Sequence, residues 1–447
     1  MARRRRPGRR ARPPRRVRRD PRARRRDRRR PSSGRRTRPG RGVVTIATSP
    51  GIVTPRLRTA RRATAAAFAA QGFLFAVLLT HLPQFEERHG IDDGTVTLVV
   101  LGVSLLAGVG SVVAEVLARR RGSSVALTAG LVTIVAATVV IALAPDIAVL
   151  FVGFGCYGLG VGAVDAGSNM QAVAVQRGYG RSILTSFHAW WSGAGIVGAL
   201  WVALGERIGL SLPAGLLIAA AAAALLAAFA RRGILPGREL PVPTGTTETI
   251  SVPWRPVLLL GSAMACFYVA DAGISNWSAL YLHDLLGAAA GTAALGFAAY
   301  QGAALTSRAV GDQLVRRIGA VATVRIGALV GIGGFALAVL APNAGVAIAG
   351  FALVGLGLPV VAPLCFSAAG ALAPGATDAV VARVNVFNYL GAVVGGVAVG
   401  LVGTTVDLRA GFVVPLVLAI ALVVLARGFV PHTVMSRTAV PRTKDAR

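Results

Sequence analysis

Twelve stretches of about 20 mostly apolar residues follow one another along this 447-residue chain, each long enough to cross ~30 Å of hydrocarbon. They cover 63–82, 95–117, 125–143, 147–170, 184–204, 212–230, 256–281, 291–311, 324–340, 344–366, 383–403 and 410–427. A bilayer holds no water to satisfy backbone N–H and C=O groups, so runs of this kind are helical. With 54% hydrophobic and only 15% charged residues, the chain is also too apolar for a soluble protein of this length. The expected fold is all-α and integral to the membrane: twelve transmembrane helices in two pseudo-symmetric six-helix bundles.

The turns between the runs give an orientation. With the N-terminus in the cytoplasm, the inner turns carry Arg119, Arg120, Arg121, Arg177, Arg181, Arg231, Arg232, Arg238, Arg255, Arg316, Arg317, Arg325 and Arg383, and the outer ones only Arg88, Arg207 and Arg409. Thirteen against three is a positive-inside bias, and it predicts a multi-pass protein of the cytoplasmic (inner) membrane with both termini inside. Residues 1–42 hold 22 arginines and two aspartates among Pro, Gly and Ala. Such a segment cannot bury enough apolar surface to fold. The chain has 47 Arg and one Lys, a GC-rich bias, so the reading preferred for 1–42 is translation upstream of the true start; a lipid-contacting tail comes second, and no nucleic-acid partner is expected. The expected division is a disordered segment over 1–62, a first bundle over 63–230, a cytoplasmic linker over 231–255, a second bundle over 256–427 and a tail over 428–447.

A duplication underlies the two bundles. "EVLARRRG" at 115–122 matches "DQLVRRIG" at 312–319, "LAPD" at 143–146 matches "LAPN" at 340–343, and "GFGCYGLG" at 153–160 matches "GFALVGLG" at 350–357. All three pairs share one offset, 197 residues, without a gap. An even number of spans per repeat makes the halves parallel, related by an axis along the membrane normal. Glu115 and Asp312 each stand four residues before an arginine, Arg119 and Arg316, so each acid can pair along its own helix; Arg308 precedes Asp312 by four. With Arg120 and Arg317, these residues are read as a conformational latch at the inner membrane face.

Six plus six helices with a basic turn after the second and eighth spans resemble the major facilitator superfamily. Its signature at that turn is matched by Leu117, Ala118, Arg120 and Gly122 in the first copy and by Leu314, Arg317 and Gly319 in the second, with Arg119 and Arg316 where the family carries Asp. The stretches "QGFLFAVLLTHLPQF", "VDAGSNMQAVAVQRGYGRSILTSFHAWWS" and "ADAGISNWSALYL" are similar to the fucose-permease branch. That resemblance implies an acid on the fourth span with Asn four residues later, matched by Asp165 and Asn169, and a part for that acid in proton coupling. The branch also carries an acid on the first span, where this chain has Gln71 and His81.

Asp165 stands about 27 Å into the fourth span at ~1.5 Å per residue. An acid at such depth is costly against lipid, so it must face protein or a watery hollow. His188, one turn into the fifth span, can reach similar depth, and a carboxylate beside an imidazole exchanges a proton near neutral pH. Asp165, His188 and Asp271 are therefore the proton-coupling candidates, with a fixed clasp as the alternative for the first two. Gly273 between Asp271 and Asn276 predicts a loosened seventh span, and Tyr281 reads as an interfacial aromatic. Gln71, Asn169, Asn276, Trp277, Tyr300, Gln301, Asn385, Asn388 and Tyr389 are polar or amphipathic groups within spans, suited either to orient a polar solute or to join helices. Gly153, Gly155, Gly158, Gly160 and Gly162 are expected to let helices approach closely.

Cys156, Cys266 and Cys365 lie inside spans at no metal or disulfide spacing and are read as packing residues. The chain carries no Walker motif, no HExxH and no GxSxG, so no cofactor, no metal and no enzymatic activity are expected. The function expected is a secondary active transporter, most simply a monomer, moving a small polar or sugar-like solute across the bilayer with H+ as coupling ion. The runner-up is an efflux carrier for drugs or metabolites. A transporter-like sensor is the third class.

Overall fold

The computed structural model describes residues 53–236, 253–373 and 375–429. The expectations for residues 1–42, for most of the linker and for the tail after 429 fall outside the described residues. Fourteen α-helices occur in the described part: α1 (Pro55–Thr80), α2 (Leu82–His89), α3 (Asp93–Arg121), α4 (Ser123–Ala142), α5 (Ile147–Tyr179), α6 (Leu184–Arg207), α7 (Leu212–Gly233), α8 (Trp254–Leu280), α9 (Ala290–Ile318), α10 (Ala320–Val339), α11 (Ala344–Gly357), α12 (Val361–Leu372), α13 (Thr377–Thr405) and α14 (Leu408–Leu425). Each of the twelve apolar runs lies on one of them, with α11 and α12 sharing the tenth. Eleven of the resulting spans are long and apolar enough to cross a membrane. The twelfth, α9, is 29 residues long, but Gln301, Arg308, Asp312, Arg316 and Arg317 lower its hydropathy. Two of these charges, Arg308 and Asp312, are buried against the other half of the protein rather than exposed to lipid.

The repeated sequence words mark the ends of helices. Asp146 of "LAPD" accepts from the Val149 N–H at 3.0 Å and starts α5; Asn343 of "LAPN" accepts from the Val346 N–H at 3.1 Å and starts α11. Gly122 and Gly319, which close the two arginine words, stand at φ 97° and 82°, a backbone that L side chains rarely adopt, and they turn the chain from α3 into α4 and from α9 into α10. At the start of α3, outside the membrane, Asp92 accepts from the Thr95 hydroxyl at 2.5 Å and the Thr95 N–H at 2.9 Å, bonds that hold its carboxyl below the usual value.

Within each half the helices meet backbone to backbone. A Cβ placed on Gly158 would lie 2.7 Å from the Val103 carbonyl oxygen, and one on Gly355 would lie 2.3 Å from that of Tyr300. Those two pairs are again 197 residues apart. Gly162 is tighter still, with Ala107 O only 1.8 Å from a Cβ, and Gly153 and Gly160 face Ile141 and Ile134 at 2.7 and 2.8 Å. Gly155 is the exception of the five: its nearest neighbour, Leu106, is at 3.5 Å, an ordinary contact.

Several boundaries differ from the sequence reading. Helix α1 begins at Pro55, eight residues before its apolar run, because Thr54 caps it and the turns carrying Arg56, Arg58, Arg61 and Arg62 need no burial. Helix α5 continues to Tyr179, so "AVAVQRGY" is helix and not loop. Its polar side chains are satisfied by neighbours: Gln171 bonds Ser123 Oγ and the Leu235 backbone, and Gln176 accepts from the Ile183 and Leu184 N–H groups that open α6. The seventh span does not loosen at Gly273. Helix α8 is regular to Leu280 and its irregularity is a π-helical turn at Tyr281–Leu285. Gly273 instead admits Val399 of α13, at 3.1 Å from a placed Cβ. Tyr281 is no interfacial aromatic: it is fully buried, donates to Ala338 O at 2.7 Å and packs edge-on against Phe412 at 5.3 Å. The tenth span is broken into α11 and α12 by a 3-10 turn over Leu358–Val360 that contains Pro359.

Substituting Gly162→Ala forces Ala107 and its helix aside and is expected to destabilise the protein by about 1–3 kcal/mol, whereas Gly102→Ala, with open space around it, gains up to ~1 kcal/mol from helix propensity. Thermal unfolding of the two purified variants in one detergent measures the difference, and equal midpoints would contradict the α3–α5 packing.

Candidate functional site

Three hydrogen-bond donors converge on the Asp165 carboxylate of α5. Gln71 Nε2 on α1 donates to Oδ1 at 3.0 Å. Asn388 Nδ2 and Tyr389 Oη, adjacent on α13, donate to Oδ2 at 3.0 and 2.7 Å. The first donor belongs to the first half and the other two to the second, so the carboxylate ties the halves together. Asp165 remains half-buried rather than sealed. Asn388 and Tyr389 sit one turn beyond Asn385, which donates instead to Ser111 Oγ on α3 at 2.8 Å.

His188 does not reach Asp165. Its Nε2 lies 3.2 Å from Asn169 Oδ1, and Asn169 in turn donates through Nδ2 to the Asp165 backbone carbonyl at 2.9 Å. The imidazole lies between Phe68 and Phe366, ring centroids 5.1 and 6.1 Å away. The expected pair is thus not formed: Asn169, the residue of α5 at the depth of His188, stands between them and bonds the backbone of Asp165 rather than its carboxylate.

A second carboxylate, Asp271 on α8, accepts from Tyr300 Oη on α9 at 2.5 Å. Arg308, two turns beyond Tyr300, is buried. It donates through Nη1 to Ser192 Oγ on α6 at 2.5 Å and lies over the Trp191 ring, 5.8 Å from its centroid. Among the described residues, Arg308 Nε finds no hydrogen-bond partner, nor do Gln71 Oε1 and Asn385 Oδ1. The other candidates lie apart. Asn276 is exposed, and Trp277 donates to Gly396 O at 2.9 Å in the α8–α13 seam. Gln301 is half-buried and takes no part in the hydrogen bonds of either carboxylate among the described residues.

Toward the arginine-rich end the halves join by a symmetric pair of contacts. Asp312 on α9 accepts from Ser182 Oγ at 2.8 Å and from the Thr185 and Ser186 N–H groups at 3.1 and 2.9 Å, so it caps α6 of the opposite half. Glu115, its counterpart on α3, faces Arg383 in the second turn of α13 at 3.2 Å and Arg119 at 3.8 Å. The expected pairing of Asp312 with Arg316 or Arg308 is absent among the described residues. Arg316 donates to Ser182 O at 2.8 Å and Arg308 to Ser192, because the free N–H groups of α6 supply Asp312 with donors. Arg120 and Arg317 are exposed and make no bond across the halves among the described residues. Gln176 donates to Ser367 Oγ at 2.6 Å, and Arg177 donates to Gly370 O and Thr377 Oγ1. The sequence reading missed Ser111, Gln176, Ser182, Ser192 and Ser367. The offset of 197 offered one signal, since it sets Ser111 opposite Arg308, and both bond the other half. Among the described residues, no group of three or more His, Cys, Asp or Glu side chains is placed to hold a metal ion.

With this geometry in place, known proteins can be compared. The family model described as Major Facilitator Superfamily matches residues 9–199. An uncharacterized transporter, y4wD, of Sinorhizobium fredii is 27% identical over 378 residues, covering 83% of this chain and 98% of the relative. Among solved structures, the transporter FucP in its outward conformation superimposes with TM-score 0.69 at 14% identity, over 82% of this chain and 97% of FucP. The proton:xylose symporter XylE bound to 6-bromo-6-deoxy-D-glucose gives TM-score 0.68 at 13% identity, over 84% and 96%. The fold is the all-helical membrane fold of these solved structures, and the relatives are transporters rather than enzymes. Over residues 9–199 the chain is similar to the Major Facilitator Superfamily, and its fold resembles that of FucP.

A cysteine pair at Gln176→Cys and Ser367→Cys, with Cys156, Cys266 and Cys365 replaced, is expected to oxidise readily to a disulfide that spans the halves. Adding Asp312→Ala is expected to lower the yield several-fold, because α6 then loses its cap from α9. Gel mobility after mild oxidation reports both, and a yield unaffected by Asp312→Ala would remove the cap from the closure of this end.

Proposed function

We propose that this protein is a proton-coupled secondary transporter that moves a small polar solute across the cytoplasmic membrane by alternating access, with both termini and the arginine-rich turns on the cytoplasmic side. The observation that carries the reading is Asp165, a half-buried carboxylate with one donor from the first half and two from the second. Hydrogen bonds to a charged acceptor contribute about 1.5–3 kcal/mol each, roughly twice a neutral pair. Proton uptake by Asp165 removes that charge and leaves Asn388 and Tyr389 free to turn to a solute. The same proton therefore weakens the tie between the halves and frees donors at the site. His188, reached through Asn169, stands on the route between Asp165 and the cytoplasmic turns, and Asp271 with Tyr300 forms the second titrating pair.

The polar-solute reading rests on the orphaned atoms. Gln71 Oε1, Asn385 Oδ1 and Arg308 Nε are buried and lack partners, and a buried polar group without one costs about 1–3 kcal/mol. A hydroxylated or otherwise polar solute supplies them, and a lipophilic drug does not. The sugar and proton:sugar carriers of like fold favour the same class. The Glu115–Arg383 and Asp312–α6 contacts act in this scheme as the latch that closes the cytoplasmic side while the opposite side is open, and the chain works as a monomer.

Asp165→Asn keeps the side-chain shape and removes the titration. Proteoliposomes carrying this variant are expected to lose, by about tenfold or more, the uptake of a polar solute driven by an imposed pH gradient, while the protein still inserts and its unfolding temperature falls, since one of the two accepting oxygens becomes an NH2. Accumulation against a gradient at the parental rate would sink the coupling role. A panel of sugars, polyols and lipophilic cations tested as stabilisers of the parent separates the solute classes, since binding to the native state raises the unfolding midpoint.

A further inference from the structure

Outside the interface between the halves, the first bundle carries a separate crevice of about 790 Å3 at its arginine-rich end. Helices α6 and α7 both pack along α1, and at the opposite end they are joined by Trp201 Nε1 donating to Gly215 O at 3.1 Å. Toward the arginine-rich end they diverge and leave α1 as a floor. That floor is Ala65, Ala66 and Ala69, whose methyl side chains make the groove deep. The walls are apolar: Phe187 from α6, and Leu226 and Phe229 from α7. Trp190 and Phe229 expose 61% and 51% of their surface at the rim, as side chains facing acyl chains do.

The mouth has the opposite character. Arg58, Arg61, Arg62 and Arg181 line it, and no carboxylate does among the described residues. Arg61 is held in place, with Nη2 donating to Ser186 Oγ at 3.4 Å and its guanidinium over the Tyr179 ring, 5.6 Å from the centroid. The other three guanidinium groups are exposed. A positive-inside bias accounts for arginines at this end of the bundle. It does not account for four of them converging on one alanine-floored groove that opens between two helices.

We infer that this crevice is a binding site for one anionic phospholipid of the adjacent leaflet, the phosphate-bearing headgroup held by Arg58, Arg61, Arg62 and Arg181 and an acyl chain laid along the alanine floor. An anionic headgroup supplies the missing negative charge, and juxtamembrane arginines draw such lipids to the surface. None of its residues belongs to the Asp165 or Asp271 groups; it shares one, Ser186, with the contact between Asp312 and α6.

Trp190 at the rim reports occupancy. The full-length protein is placed in phosphatidylcholine nanodiscs doped with either brominated phosphatidylglycerol or brominated phosphatidylcholine. Subtracting the signal of a Trp190→Phe variant isolates the Trp190 emission. The expected result is half-quenching at a several-fold lower mole fraction of the brominated anionic lipid than of the zwitterionic one. The variant with Arg58→Gln, Arg62→Gln and Arg181→Gln, all at exposed positions, is expected to bring the two to within about twofold without lowering the unfolding midpoint. Equal quenching by the two lipids overturns the proposal. So does a preference that survives the triple substitution, or one that millimolar inorganic phosphate abolishes, which would make the mouth a general anion site.

Discussion

A carboxylate inside a membrane protein needs hydrogen-bond donors, and where the donors come from decides what its protonation does. Asp165 draws them from α1 on one side and α13 on the other. Had all three come from one bundle, the group would be a local clasp, and its charge would have no bearing on how the halves sit. Because two of them cross the interface, the carboxylate is bonded to α13 of one half as well as to α1 of its own. The offset of 197 sharpens the point. It places Ala362 opposite Asp165 and Leu74 opposite Asp271, so neither acid has a copy in the other half. The duplicated scaffold is symmetric and its titrating groups are not.

The scaffold serves such a device by keeping friction low elsewhere. Each half is bound internally by backbone contact, Gly158 on Val103 and Gly355 on Tyr300, where no side chain intervenes to rearrange. Such close-packed pairs transmit displacement as rigid bodies. Between the halves an apolar cluster that includes Phe68, Val173, Phe187 and Phe366 is accompanied by polar ties: Asp312 on the open end of α6, Glu115 with Arg383, Gln176 with Ser367. Polar ties of this kind are exchangeable for water when they separate, whereas an equal area of interlocked apolar side chains is not.

Much of this was legible in the sequence, for reasons that differ by residue. The twelve spans were legible because hydrocarbon admits one backbone solution, and the bundle repeat because three words kept a single offset. Asp165 stood out because an acid at that depth has to be accounted for. Its donors Gln71, Asn388 and Tyr389 were named as polar groups within spans, but their convergence was not readable, since it depends on how α1, α5 and α13 cross. His188 shows the limit of arguing from depth. It lies at the level of Asn169 rather than Asp165, a difference of one helical turn that no loop length could fix. The pairing expected of Asp312 differs in an instructive way. Spacing of four suggested Asp312 with Arg316, yet the acid serves the unpaired N–H groups at the start of α6. Backbone donors carry no letter in a sequence, so a pattern search sees only the arginine.

The same blindness hid the serines. Ser111, Ser182, Ser192 and Ser367 are unremarkable letters in an apolar context, and each lies on the interface as donor or acceptor to the opposite half. A serine hydroxyl is small enough to pass a close helix contact, it both donates and accepts, and it returns to its own i−4 carbonyl when the partner withdraws. Ser111 already does so, donating to Ala107 O at 3.2 Å while it accepts from Asn385, and Ser192 donates to His188 O while it accepts from Arg308. These hydroxyls hold a fallback partner within their own helix, and the amide or guanidinium facing them does not. Without the opposite half, it is therefore Asn385 and Arg308 that would be left in need of a partner.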